Sequence, residues 1–209
     1  MKRGRFIKGH FSLNKVSPNE ASPVLNLLAE AGVLKSVRRS GWWMIGIKNG
    51  ESVAEHSFRT GLLGYLLAKM EKADPYPVVM MSLLNDLHEA RINDLHKVGH
   101  RYIDFRAAEQ KAAAEQLAAL PPALRTDLTR WSQDLHRQKT RASIIARDAD
   151  LLECMIQGKE YFDQGHPRAI TWMTRPQHLL KTKSAKALAK ALKNWSSHSW
   201  WQSLVTLSR

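Results

Sequence analysis

The run Val78-Val79-Met80-Met81-Ser82-Leu83-Leu84-Asn85-Asp86-Leu87-His88-Glu89-Ala90 constrains this chain more than any other. It follows Asp74-Pro75-Tyr76-Pro77, a helix breaker, and its apolar residues call for burial on more than one side of a helix. Into it fall Asn85, Asp86, His88 and Glu89. At about 100° per residue, Asn85, Asp86 and Glu89 share one arc of about 100°. A carboxylate in so apolar a helix costs free energy unless it is paired, hydrogen-bonded or metal-bound. The chain must therefore bury this helix among others and give its acids partners.

The remainder also reads as helix. Ser22-Pro23 before an apolar run that ends at Gly32 predicts a short helix with Ser22 as N-cap and Pro23 at its first position. Residues 34–51, with three glycines, predict a loop or short hairpin. Residues from Ser52 to about Lys72 carry a helical stripe. Further helices are expected over about 105–120, 123–138, 140–163 and 184–207, with Leu188, Leu192, Trp195, Trp200 and Leu204 as buried candidates in the last. Pro167 and Pro176 mark an irregular stretch. There is no internal repeat and no strand series, so the fold class is all-α.

The net charge of +13 is uneven. Residues 1–18 carry Lys2, Arg3, Arg5, Lys8 and Lys15 and no acid, and residues 164–209 carry eight cations and no acid, whereas the middle balances. Such ends favour anionic partners, nucleic acid among them, or serve solubility alone. No run approaches the ~18 apolar residues of a membrane span, and no apolar segment of a secretory signal follows the basic start. One cysteine, Cys154, excludes an internal disulfide framework and a cysteine-based zinc cage, which fits a cytoplasmic setting.

Two further apolar helices carry metal-competent groups: His56, after Glu55, and Asp148 with Asp150. Taken singly, each has a plainer use. His56 fits a hydrogen-bonded core, Asp86 a helix cap, and Asp150 an ion pair with Arg147 or Arg141. Together, three helices offering such groups are how a bundle builds an internal metal site.

In this order the motifs resemble the HD-domain phosphohydrolases, specifically the small branch containing the 5′-deoxynucleotidases. The stretch Leu34–Trp42 is similar to the opening motif, and Glu51–Arg59 to the first-histidine motif. Leu84–Leu95 resembles the His-Asp segment, and Arg147–Glu153 the final-aspartate motif; the match spans roughly residues 24–165. The resemblance implies a helical HD-domain bundle holding a divalent metal (Mn, Co, Mg, Fe, Ni or Zn) through His56, Asp86 and Asp150, with Asn85 where the second histidine belongs. It implies Glu89 as the acid/base residue, Asp94 as a second active-site carboxylate, Arg39 on the substrate phosphate and Trp42 near the nucleoside. It also implies a homodimer. The expected organisation is a basic segment over 1–20, the HD-type domain over 21–165, and a basic, Trp-containing helical extension over 166–209 packed on the same domain.

Asn85 leaves three readings open. An amide oxygen suits a harder ion such as Mg²⁺ or Mn²⁺, and hydrolysis persists. Alternatively metal binding is lost, and the fold binds nucleotides or nucleic acid without catalysis. In the third, His88 substitutes, although it lies about 200° around the helix from Asp86. The expected activity is metal-dependent removal of the 5′-phosphate from a (deoxy)nucleoside monophosphate or a related nucleotide. Elsewhere, His96, Lys97, His100 and Arg101 read as a solvated surface in preference to a phosphate-attracting pocket mouth, Cys154 as a small core residue, and Tyr161-Phe162 as packing. Trp195, Trp200 and Trp201 read as docking on the core or on a partner subunit, in preference to a single-stranded nucleic-acid surface.

Overall fold

A computed structural model describes residues 18–202 and 204–205. The basic residues counted before position 18 lie outside them. The described residues form ten α-helices: α1 (Pro18–Val33), α2 (Val53–Met70), α3 (Pro75–Leu84), α4 (Glu89–Ile92), α5 (Phe105–Ala118), α6 (Pro122–Arg137), α7 (Arg141–Asp163), α8 (Ile170–Thr174), α9 (Lys183–Ala191) and α10 (Ser199–Gln202). Short 3₁₀ turns fill several connections, among them Ser40–Ile45 in the expected loop. Among the described residues β-pairing is limited to an isolated bridge between Arg38 and Ser52.

The core lies where α2, α3 and α7 meet. Leu63 and Leu67 of α2 pack with Val78 and Met81 of α3 and with Ile145, Ala149, Leu152 and Met155 of α7. Gly64 lets α2 and α3 approach closely: a Cβ there would meet Ser82 Oγ at 2.9 Å and Val78 Cγ1 at 3.1 Å. Trp131 and Leu135 of α6 close one side of this core, and Leu180, Ala185, Ala189 and Leu192 from the C-terminal segment close another. That segment is fastened by Asp148, whose buried carboxylate accepts from the backbone N–H of Lys181 at 3.0 Å and of Thr182 at 2.6 Å.

Three local expectations change. Helix α1 begins at Pro18, so Pro23 stands inside it; the missing N–H forfeits one rung and the helix continues on either side. The apolar run from Val78 is two pieces, because α3 ends at Leu84 and Asn85–His88 form a tighter turn. Its bonds span three residues: Leu87 N–H to Leu84, Glu89 to Asp86, Ala90 to Leu87 and Arg91 to His88. Three residues per turn bring positions i and i+3 into line, so Asp86 and Glu89 share a side more closely than an α-helix would allow. The expected helix over 184–207 stops at Ala191 and resumes only as α10. Leu192 is buried as expected, but Trp200 is 70% exposed, Leu204 is exposed, and Trp195 is only partly covered.

Candidate metal centre and active site

Ser52 fixes the start of α2. Its hydroxyl accepts from Glu55 N–H at 3.2 Å, and the Glu55 carboxylate accepts from Ser52 N–H at 2.6 Å, a reciprocal cap. This aims His56, in the first turns of α2, into the interior, where it is 1% exposed. The preceding chain runs alongside: Val53 N–H donates to Val37 carbonyl at 2.9 Å and Arg39 N–H to Glu51 carbonyl at 3.0 Å. Arg39 is thereby carried to the same place. The tight turn after α3 supplies Asp86 and Glu89, and α7 supplies Asp150, Glu153 and Cys154.

These groups converge on one imidazole. His56 Nε2 lies 3.0 Å from Asp150 Oδ1 and 3.4 Å from Asp86 Oδ2. On the other side of the ring, Nδ1 is hydrogen-bonded to Glu153 Oε2. Glu153 is fully buried and held by Arg59, whose Nε donates to Oε1 at 2.8 Å. Arg59 is itself fixed by Glu160 and Gln157. A carboxylate on Nδ1 orients the ring and leaves Nε2 for the carboxylates of Asp86 and Asp150, as in histidines that ligate metals.

The two aspartates also have cationic partners. Arg39 Nη1 lies 3.2 Å from Asp86 Oδ2, and Arg147 Nη1 lies 2.6 Å from Asp150 Oδ2. Of the two arginines considered for Asp150, Arg147 therefore takes it, and Arg141 pairs with Glu71. Asn85 Nδ2 donates to Asp86 Oδ1 at 2.7 Å, so its amide faces the outer oxygen of that carboxylate. Asp94 Oδ2 accepts from Ser40 N–H at 2.9 Å and lies 3.7 Å from Arg39 Nε. Glu89 is 5% exposed and its Oε2 has no hydrogen-bond partner among the described residues. His88 Nε2 lies 3.6 Å from Glu109 on α5, which turns it toward α5. Asp148 faces the C-terminal segment and takes no part in the cluster.

Electrostatics follow from burial of so many acids together. Burial, reinforced by Asp86 and Asp94, pushes the Glu89 carboxyl up to about 10. Burial and Glu153 push Glu51 up to about 7, although Trp42 Nε1 donates to it at 3.0 Å. Burial also raises Asp86, against the pull of Arg39 and His56. Asp150 goes the other way: burial opposes its charge, but Arg147 and His56 hold it well below the usual range. Burial and Arg39 disfavour a charged His56, yet Glu153 and Asp150 outweigh them and lift it well above its ordinary value. Among the described residues, Asp86 and Asp94 pair with Arg39, Glu153 with Arg59 and Asp150 with Arg147.

The HD domain family matches residues 31–205, which takes in every group just described. This chain belongs to the HD domain family. The HD-domain chain is 27% identical over 155 residues to the 5′-deoxynucleotidase HDDC2 of Dictyostelium discoideum, covering 69% of this chain and 80% of that one. It is 24% identical to the 5′-deoxynucleotidase HDDC2 of Homo sapiens, covering 72% and 74%. Among solved structures, a conserved hypothetical protein from Pyrococcus furiosus superposes with a TM-score of 0.69 at 26% identity, covering 82% of this chain and 99% of that one. A predicted coding region from Archaeoglobus fulgidus gives 0.62 at 29% identity, covering 86% and 99%.

In this HD-domain protein the cluster opens into a cavity of about 1280 Å³. Arg39, Asp86, Glu89, Asp94, Asp150 and Cys154 line it, as do His96, Lys97 and His100. Those last three thus border the cavity as well as solvent. Trp42 also borders it, but is 2% exposed and packed against Tyr161 and Trp172, so its ring is a wall. Cys154, expected as core packing, stands in the cavity wall. Glu51, Arg59 and Glu153 fall within the quoted motifs, but sequence reasoning assigned none of them a role in the site. Their spacing from His56 becomes meaningful only when α2 and α7 lie together, although a buried-type helix carrying Glu153 directly before Cys154 raises the same question that Asp86 does.

Proposed function

We propose that this HD-domain protein is a metal-dependent phosphohydrolase that removes the 5′-phosphate from a (deoxy)nucleoside monophosphate. The observation that carries it is the convergence of Asp86 and Asp150 on His56 Nε2, beside Glu89 with its unpartnered buried oxygen. The donor chemistry fits a divalent ion. Glu89 and Glu51 are driven toward their neutral forms, and the imidazole is oriented by a carboxylate. The names of the curated relatives supply the substrate class.

In this reading His56, Asp86 and Asp150 hold the metal and Asn85 supports Asp86. When bound, a divalent ion polarises a phosphoryl oxygen and makes water a better nucleophile. Arg39 binds the phosphate, exchanging its contact with Asp86 for paired hydrogen bonds to substrate oxygens. Asp94 positions Arg39 by anchoring the Ser40 N–H beside it. Glu89, carrying a proton at neutral pH, delivers it to the leaving oxygen of the nucleoside. The products are the nucleoside and inorganic phosphate. The test is phosphate release from deoxynucleoside 5′-monophosphates with Mn²⁺, Co²⁺ or Mg²⁺. Release that needs the metal and is lost in Glu89→Gln supports the reading, and absence of release with every ion overturns it.

One observation favours a second reading. Arg39 and Arg147 already neutralise Asp86 and Asp150, as they would in a non-catalytic nucleotide- or nucleic-acid-binding protein. Nucleotide binding that depends on Arg39 and is indifferent to metal would identify it. The exposed stripe Phe58, Leu62, Leu66 and Met70 along α2 supports a homodimer. No described helix is long and apolar enough to cross a membrane.

A further inference from the structure

We propose that Cys154 is a sulfur ligand of the metal in this site, taking up the role that Asn85 leaves open. The proposal rests on the metal-dependent reading above. Cys154 lies one helical turn after Asp150, so the two side chains leave α7 on one face. One donor atom each from His56, Asp150 and Cys154 lies within 4.8 Å of the others. Arg39 spans the same space, with Nη1 at 3.2 Å from Asp86 Oδ2 and Nη2 at 3.2 Å from Cys154 Sγ. Asp86 and Cys154, from different elements, therefore already face one cationic group. The buried, unpartnered Oε2 of Glu89 belongs to the wall of the same cavity. Asn85, by contrast, is engaged with the outer oxygen of Asp86.

A thiolate in the set changes which ion the site selects. Carboxylate and amide oxygens suit Mg²⁺ and Mn²⁺, whereas imidazole with thiolate suits Zn²⁺ and Co²⁺. Coordination breaks the S–H bond; the proton goes to buffer and both electrons stay on sulfur to form the metal–sulfur bond.

Co²⁺ titration of the metal-free full chain tests this, because any thiolate-to-cobalt charge-transfer band must come from the chain's single cysteine. The expected result is a near-ultraviolet charge-transfer band together with visible d–d bands. In Cys154→Ser the charge-transfer band disappears, the d–d bands persist, and Co²⁺ affinity falls by about 10–100-fold or more. The preference for Zn²⁺ over Mn²⁺ narrows in the same variant. Zn²⁺ also protects Cys154 of the wild-type chain from alkylation, a readout that needs no variant to fold. Visible bands without charge transfer, or unprotected alkylation at saturating Zn²⁺, overturn the sulfur ligand and leave the metal reading standing. Absence of any cobalt spectrum overturns the sulfur ligand, and absence of Zn²⁺, Mn²⁺ and Mg²⁺ binding as well overturns both.

Discussion

Glu153 accepts from Nδ1 of His56 and so turns Nε2 toward Asp86 and Asp150. The pair joins α7 to α2 through the centre of the site. It makes a residue that touches neither cavity nor substrate decisive for the ring's orientation. Glu153→Gln is expected to weaken divalent-metal affinity by about 10–100-fold, read by calorimetric titration. Glu153→Ala also removes the buried carboxylate that Arg59 and His56 share, leaving them Glu160 and Asp150, and chemical unfolding should report a loss of about 1–3 kcal/mol.

Glu89→Gln separates catalysis from stability. Phosphate release should fall by about 10²–10⁴-fold in kcat, with KM little changed. Metal-free stability should move the opposite way. The native carboxyl titrates near 10 and an unfolded one near ~4.3, so the native state holds its proton more tightly across that interval. Stability from this group is full below the unfolded value and is lost as pH rises through the native one. The melting temperature of chelator-treated Glu89→Gln should therefore exceed that of wild type by a margin that grows between about pH 5 and about pH 9.

Asp148 and Asp150 stand two residues apart on α7 and serve opposite faces. Asp150→Asn should abolish metal binding and, because it also removes the pairing with Arg147 and His56, lower the melting temperature. Asp148→Asn should leave metal affinity intact and cost about 1–3 kcal/mol in chemical unfolding, because the amide is a poorer acceptor for the Lys181 and Thr182 N–H groups.

Asn85→His adds a second imidazole next to Asp86. Mn²⁺ and Co²⁺ affinity should rise by about tenfold or more, measured by titration of the metal-free protein.

Phe58→Asp places a charge in the exposed stripe of α2, where Phe58 is 72% exposed. Light scattering should show a dimeric wild type and a monomeric variant with an unchanged melting temperature.

The helical stripes and the ordered polar positions His56, Asp86 and Asp150 were legible because each is a local conflict between an apolar helix and a charged side chain. What was not legible depends on pairing across the chain. The break at Asn85–His88 is hidden by apolar residues that continue on both sides. Glu51 and Glu153 look like ordinary acids until α2 and α7 are laid together, and Cys154 looks like a small core residue until Asp150 beside it is known to face the cavity. The tail misled for the converse reason. Its aromatic residues suggested burial, but Asp148 and the apolar contacts of Leu180, Ala185, Ala189 and Leu192 already anchor the segment, so Trp200 is left outside.

Because Leu180, Ala185, Ala189 and Leu192 complete the core around α7, a nascent chain cannot finish packing its interior while that stretch is still inside the ribosome. The hydrophobic faces of α2, α3 and α7 wait, partly uncovered, for the last portion of the polypeptide to arrive. A premature stop after α7 would leave His56, Asp86, Asp150 and Cys154 encoded, yet yield a sticky, incompletely closed product that chaperones and proteases would meet first.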